Sequence, residues 1–386
     1  MLVRRIVQLL AGLMLGLLYS VYVLLLAPLS IWLLFNAQTW TGRGLALLGL
    51  IGVILPAALL AWSRARTRRK FFKRGSSTLG LSGLLLAGLI LITTPSGRLP
   101  ADSSIQQRFT RSVPFSLWTL SNIVPEIEQV NLGFQVMPYL DPIFTAAQAQ
   151  RVAVPTFKIY REMEGDPNFR ELSSAMSWVY ADLSGEPFDV GHYYLYIPRQ
   201  HPDGPLPAIV FLHGSVGNFK GYMWHWAKLA DKRGMVIIAP SYGFGHWDEA
   251  AGLKAVQRAL DDAATQVALD PMQIYLAGLS NGGLGVSQAA RAEPEHYRGL
   301  IFISPLMATD GAAFLAHWRD RPVLVLAGEA DERVSYSYVA KRIANLQAAG
   351  VSVTHKAYPG ADHFLFFSQA DEVLDDISHW LASTGE

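Results

Sequence analysis

Apolar positions along this chain fall into two regimes. Residues 6 to 35, "IVQLLAGLMLGLLYSVYVLLLAPLSIWLLF", carry no charge, whereas about 20 apolar residues suffice for a helix to cross a bilayer. A membrane span is expected there, because a signal peptide has a much shorter apolar core followed by a small-residue cleavage site. Residues 45 to 62, "LALLGLIGVILPAALLAW", form a second uncharged run, in which Pro56 is tolerable for a membrane helix. Residues 79 to 94, "LGLSGLLLAGLILITT", form a shorter third run that reads as a span, with an interfacial or re-entrant segment as the alternative. Gly83 and Ala87 in it are spaced like a small-xxx-small helix contact.

The second regime begins near residue 190. Short β-rich runs, "HYYLYIP", "PAIVFLHG", "MVIIAP", "QIYLAG", "LIFIS", "PVLVLAG" and "VSVTHKAY", are mostly separated by helical patterns such as "SYVAKRIANLQAAG". Apolar strands separated by helices predict an α/β fold, a mostly parallel sheet covered on both faces. Ligands of such sheets bind at the carboxyl ends of the strands. Between the regimes, "PSGRLPADSS" reads as a boundary. Residues 101 to 188 show no sustained period. They are expected to pack as an extension or cap on the following domain, with a membrane-surface segment as the alternative. The expected organisation is therefore a transmembrane region over 1–98, a linker and extension over 99–188, and an α/β domain over 189–386.

Composition and charge sharpen this picture. The apolar fraction of 51% and mean hydropathy of +0.22 are high for a soluble protein, and the excess sits in the first hundred residues. The loop "SRARTRRKFFKRGSS" between the second and third runs carries Arg64, Arg66, Arg68, Arg69, Lys70, Lys73 and Arg74 without an acid. The positive-inside rule places that loop, and Arg4 and Arg5, in the cytoplasm, so the C-terminal domain is expected outside it. Net charge is +1 with no basic stripe in the second half, so no nucleic-acid partner is expected. Absence of cysteine removes disulfides, thiolate nucleophiles and Cys-based metal sites; no cofactor or metal is expected. None of the spans holds an ionisable residue of the kind that marks a transport path.

Candidate chemistry gathers at strand ends. Ser280 in "LAGLSNGG" lies between an apolar strand and a helical stretch, where a nucleophile elbow must be. Gly278 and Gly282 suit so tight a turn. A serine nucleophile needs a base and an orienting acid, in the order Ser, Asp or Glu, His. Of the later histidines, His363 in "YPGADHFLFF" follows the last strand in a glycine-containing loop, while His355 lies inside a strand and His296 and His379 lie in polar helical stretches. His363 is the expected base. Asp331 in "AGEADERV" is the preferred acid, just past the strand ending at Gly328, with Glu329 as the fallback. The N–H of Ser215 or Val216 in "FLHGSVGN", together with that of Asn281, is expected to form an oxyanion hole. His213 is read as a hydrogen-bonded loop residue.

Along the chain the motifs "LHGSVGN", "LAGLSNGG", "AGEADERV" and "GADHF", in that order at the ends of successive strands, resemble the α/β-hydrolase superfamily, in particular its esterase and peptidase-like members. The resemblance covers about residues 190 to 382. It implies Ser280 as nucleophile, Asp331 as acid, His363 as base, and Ser215 and Asn281 as oxyanion donors. Only about 20 residues join the strands near 300 and 322, where many lipases insert a lid, so something else must roof the pocket. Tyr222 and Trp224 in "GYMWHW", and Tyr242 and Trp247 in "SYGFGHW", are the expected lining. Carboxylic esters are the implied substrates, small-molecule or lipid, with peptides or thioesters as alternatives. A non-catalytic binding module at the membrane is the reading from a different class.

Overall fold

Three long helices precede the sheet in a computed structural model that describes residues 2–64, 69–100 and 102–384. They are α1 (Leu2–Asn36), α2 (Trp40–Arg64) and α3 (Arg69–Thr93). Their stretches Leu10–Asn36, Trp40–Ser63 and Arg74–Thr93 are long and apolar enough to cross a membrane. The third is longer than the 79–94 run suggested: arginine and lysine are good helix formers, so the helix continues where the uncharged run stops. Arg66 and Arg68, at the centre of the basic loop, lie outside the described residues.

Small residues lie at the contacts between these helices. A Cβ on Gly83 would lie 3.2 Å from Ile51, and one on Gly44 would lie 3.4 Å from Leu86. These helices form one compact unit, Met1–Thr94 with Ile123–Leu132. The latter stretch opens α4 (Glu126–Leu140). Its Glu128 carboxylate accepts from the backbone N–H of Gln38 at 3.1 Å and of Thr39 at 2.7 Å, and from the Thr39 hydroxyl at 2.8 Å. Glu128 thus caps the start of α2, where the helix dipole favours a negative charge.

A second unit comprises Pro95–Asn122 and Gly133–Glu386. Its eight strands are β1 (Ile105–Phe109), β2 (His192–Tyr196), β3 (Leu206–Leu212), β4 (Val236–Pro240), β5 (Leu269–Leu279), β6 (Gly299–Ile303), β7 (Pro322–Gly328) and β8 (Ser352–Tyr358). They run in the order β1-β2-β4-β3-β5-β6-β7-β8. β1 and β2 pair antiparallel at one edge, and β4 through β8 form a parallel sheet. The mostly parallel α/β sheet is as the sequence predicts. β1 is an addition: its alternation in "SIQQRFT" is too polar and short to announce a strand.

Residues 133–188 supply the rest of α4 and three more helices, α5 (Ala146–Glu164), α6 (Pro167–Glu171) and α7 (Met176–Ser184). The remaining helices are α8 (Lys220–Arg233), α9 (Ala250–Gln266), α10 (Gly282–Ala292), α11 (Ala312–Trp318), α12 (Tyr336–Ala348), α13 (Leu365–Ser368) and α14 (Ala370–Thr384). Side chains alternate along a strand, so the central strands feed two cores. Val210, Leu212, Leu276 and Phe302 pack with Val256, Val286, Phe314 and Val339 of α9 to α12. On the other face Phe211 meets Trp226 of α8 at 5.2 Å between ring centroids, and Tyr275 meets Trp380 of α14 at 5.8 Å. Each such side chain, fully buried, contributes roughly 1.5–3 kcal/mol, and together they hold the carboxyl ends of β3, β5 and β7 in fixed register.

Candidate active site

Ser280 stands between the end of β5 and the start of α10 with φ +53°, a left-handed conformation that non-glycine residues rarely adopt. Its backbone is held on three sides. Its N–H donates to Ile303 O at 3.0 Å, and its carbonyl accepts from Gly283 N at 2.9 Å and Leu306 N at 3.0 Å. A Cβ on Gly278 would lie 2.5 Å from the Gly282 backbone, and one on Gly282 would collide with the carbonyl of Leu212. Strand, turn and helix therefore close around Ser280 only with glycine at both positions, and that closure over-determines the strained turn.

Asp331 lies in the loop that follows β7. Its Oδ1 accepts from the backbone N–H of Arg333 at 2.9 Å and Val334 at 2.8 Å. Its Oδ2 faces His363 Nδ1 at 2.8 Å, and His363 Nε2 lies 2.9 Å from Ser280 Oγ. Side-chain exposure of His363 and Asp331 is only 9% and 1%, so water competes little for these bonds. With Nδ1–H directed at the carboxylate, Nε2 is left as the acceptor facing the Ser280 hydroxyl. Glu329, the fallback acid, is exposed instead, and its backbone N–H donates to Tyr358 O at 3.0 Å.

The loop after β3 approaches the same turn. A Cβ on Gly214 would lie 3.3 Å from the Ser280 Cβ. Asn281 Nδ2 donates to Ser215 Oγ at 2.8 Å, joining the two segments whose backbone amides were expected to face a substrate oxygen. His213 braces this loop from below: its Nε2 accepts from Tyr242 N at 3.1 Å, so its Nδ1 donates to Gly214 O at 2.7 Å. Burial pushes its imidazole down to about 4, which keeps the ring neutral.

The four aromatic residues expected to line the pocket have other places. Tyr242 and Trp247 are in the core beneath the sheet, where Trp247 Nε1 donates to His213 O at 2.8 Å. Tyr222 is buried among Phe211 at 5.5 Å and Phe367 at 5.2 Å. Trp224 packs on Phe169 at 4.9 Å and donates to Glu162 at 3.1 Å. It borders a cleft of about 750 Å3 whose lining includes none of Ser280, Asp331 and His363. Large rings gain most from full burial, and their position near strand ends does not say which way they turn.

What lies beside the histidine comes from the stretch without a period. Phe364 meets the His363 ring edge-on at 5.7 Å, and Phe144, following α4, packs on Phe364 at 5.1 Å. Two ion pairs fasten this cover: Asp141 with Arg333 at 2.5 Å, and Arg151 with Asp362 at 3.2 Å. The Arg333 guanidinium holds the Asp141 carboxyl below the usual carboxylate range. Arg333 and Asp362 are two positions and one position from Asp331 and His363, a proximity in sequence that was the available signal for them.

Comparison with known proteins adds the following. Residues 312–384 match the prolyl oligopeptidase family, a stretch that holds Asp331 and His363 but not Ser280. A poly(3-hydroxybutyrate) depolymerase of Ralstonia pickettii is 31% identical over 136 residues, covering 29% of this chain and 28% of that protein. A probable carboxylesterase, SOBER1-like, of Arabidopsis thaliana is 29% identical over 139 residues, covering 35% of this chain and 52% of that protein. The chain thus spans about half or less of the length of these curated relatives. Among solved structures, Est1E from Butyrivibrio proteoclasticus is similar at 19% identity and a TM-score of 0.41, over 50% of this chain and 93% of that one.

Proposed function

We propose that this chain is a membrane-anchored serine hydrolase that cleaves carboxylic esters. The observation that carries the reading is the line of hydrogen bonds from Ser280 Oγ to His363 Nε2 and from His363 Nδ1 to Asp331. In this reading His363 takes the Ser280 proton as Oγ attacks the ester carbonyl, and Asp331 stabilises the imidazolium that results. The backbone N–H groups of Ser215 or Val216 and of Asn281 receive the oxyanion, aided by the amino end of α10. His363 then returns the proton to the leaving alcohol. Water resolves the acyl-enzyme by the same steps in reverse.

Similarity to a polyester depolymerase and a carboxylesterase supports ester over amide substrates. The prolyl oligopeptidase match keeps peptides as the second reading. Membrane anchoring rests on the length and composition of α1 to α3. A catalytic domain on the extracytoplasmic side rests on the basic residues of 64–74, between the second and third apolar runs.

The test is labelling of detergent-solubilised protein with a fluorophosphonate probe, followed by turnover of short acyl esters and peptide amides. Labelling of the wild type that Ser280→Ala abolishes, with ester turnover, supports the reading. A folded wild type that neither labels nor turns over would instead favour a binding module.

A further inference from the structure

Two loops meet beside Ser280, and the backbone of each is strained at one residue. Ser280 itself has φ +53°, and Val216, in the loop that follows β3, has φ +75°. A β-branched side chain makes that conformation a genuine outlier, and such an outlier persists only where the surroundings hold it. Both ends of the loop are held. His213 Nε2 accepts from Tyr242 N, and Asn218 Nδ2 donates to Ala239 O at 2.9 Å and to Ser241 Oγ at 3.0 Å. Gly217 has φ +106°, and a Cβ there would collide with Val179. Between these anchors Ser215 and Val216 are only half-buried. Among the described residues, the 2.8 Å bond from Asn281 Nδ2 to Ser215 Oγ is the one hydrogen bond that either of those two side chains makes.

Asparagine at this position has a more usual task. Asn281 is the N-cap of α10, where an asparagine side chain commonly accepts a backbone N–H of the first turn. Here it makes no such bond. Its amide reaches across to the middle of the loop after β3 instead. We propose, resting on the serine hydrolase reading, that the Asn281 side chain is a positioning residue. By holding Ser215 it sets the distance between the backbone N–H groups of that loop and its own N–H, the two sides that would receive an oxyanion. These sides come from segments 66 residues apart, so no local backbone connection fixes their spacing. Donors stabilise developing charge when they lie about 2.7–3.1 Å from it, and a misplacement of about 1 Å can lower a rate about 100-fold. A neutral amide spans the gap without placing a negative charge beside the oxyanion.

Alanine at 281 retains the backbone N–H, so the substitution isolates the side chain. Full-length Asn281→Ala, Ser215→Ala and the double variant are compared with the wild type on a short acyl ester, with an unchanged melting curve as the check of folding. Each single variant should lose about 10- to 100-fold in kcat while KM stays within about threefold. The double variant should be no slower than the slower single one, because both substitutions remove the same bond. The apparent pKa of the base in the pH profile of kcat/KM should stay in place, whereas a general disturbance of Ser280 and His363 would shift it. Ser215→Thr, which keeps the hydroxyl, should retain kcat within about threefold. If Asn281→Ala does not fold, Ser215→Ala and Ser215→Thr make the same comparison from the other side of the bond. An active wild type whose single variants keep full kcat, or whose losses multiply in the double variant, would overturn this proposal and leave the hydrolase reading standing. A folded wild type that neither labels with fluorophosphonate nor turns over would overturn both.

Discussion

Asp331 divides its carboxylate between two duties: Oδ1 accepts two backbone N–H bonds from its own loop while Oδ2 faces His363 Nδ1 at 2.8 Å. The first oxygen fixes the carboxylate and the second orients the ring. Asp331→Asn should therefore keep the loop and lose the tautomer. A fall in kcat on the order of 10^4 is expected, with melting temperature little changed. A drop of less than tenfold would mean that Asp331 does not orient the base.

The elbow should be intolerant of one carbon. Gly282→Ala places a methyl against the carbonyl of Leu212 and Gly278→Ala places one against the Gly282 backbone. Each should lower stability by about 1–3 kcal/mol and should weaken fluorophosphonate labelling through displacement of Ser280. Denaturant unfolding of the purified variants checks the first expectation, and labelling rate the second.

Phe144 packs on Phe364, the neighbour of His363, between two flanking ion pairs, Asp141–Arg333 and Arg151–Asp362. Because the pairs are partly exposed, each should contribute no more than about 1 kcal/mol to global stability. Removing both, as Arg333→Ala with Arg151→Ala, should chiefly free the cover. Faster hydrogen exchange over residues 141–151 is expected, with exchange in β5 and β6 unaltered. Equal acceleration throughout the sheet would place the pairs in the global fold instead.

Acid should destabilise the second unit before its carboxylates protonate. Burial lowers His213 to about 4 and His192 and His225 to about 3, whereas in the unfolded chain they titrate near 6.5. Below about pH 6.5 the unfolded state therefore binds more protons than the folded one, and stability falls as pH drops toward 4. The slope contributed by each ring approaches about 1.4 kcal/mol per pH unit. Melting curves between pH 7.5 and 4.5 check this, and His213→Asn should flatten the slope.

The sequence singles out Ser280 and Asp331 as candidates because each follows a run apolar enough to be a buried strand, whereas β8 before His363 is polar and half-exposed, so chain order and its loop position point to His363 instead. The parallel sheet was legible from the same apolar runs. Where a side chain points is a different kind of information. Tyr242 and Trp247 lie in the loop that follows β4, as Ser280 follows β5, yet turn into the core. The packing of Phe144, Asp141 and Arg151 was not legible, because Asp141 and Phe144 lie in the link between α4 and α5, Arg151 lies on α5, and their partners, such as Phe364, are distant in sequence. The third apolar helix was underestimated because charge marks the end of an uncharged run without ending the helix.

The position of β1 has a consequence for how the chain is made. Residues 105–109 form an edge strand of the sheet, and among the described residues β2 is the one strand they pair with. Synthesis runs from the amino end, so β1 and the three apolar helices leave the ribosome while every strand that β1 could join, directly or through β2, is still untranslated. An unpaired strand edge that waits for its partner invites mispairing. The polar alternation of "IQQRF", which concealed the strand from a reading of the sequence, also keeps that waiting segment soluble until His192 to Tyr196 arrive to pair with it.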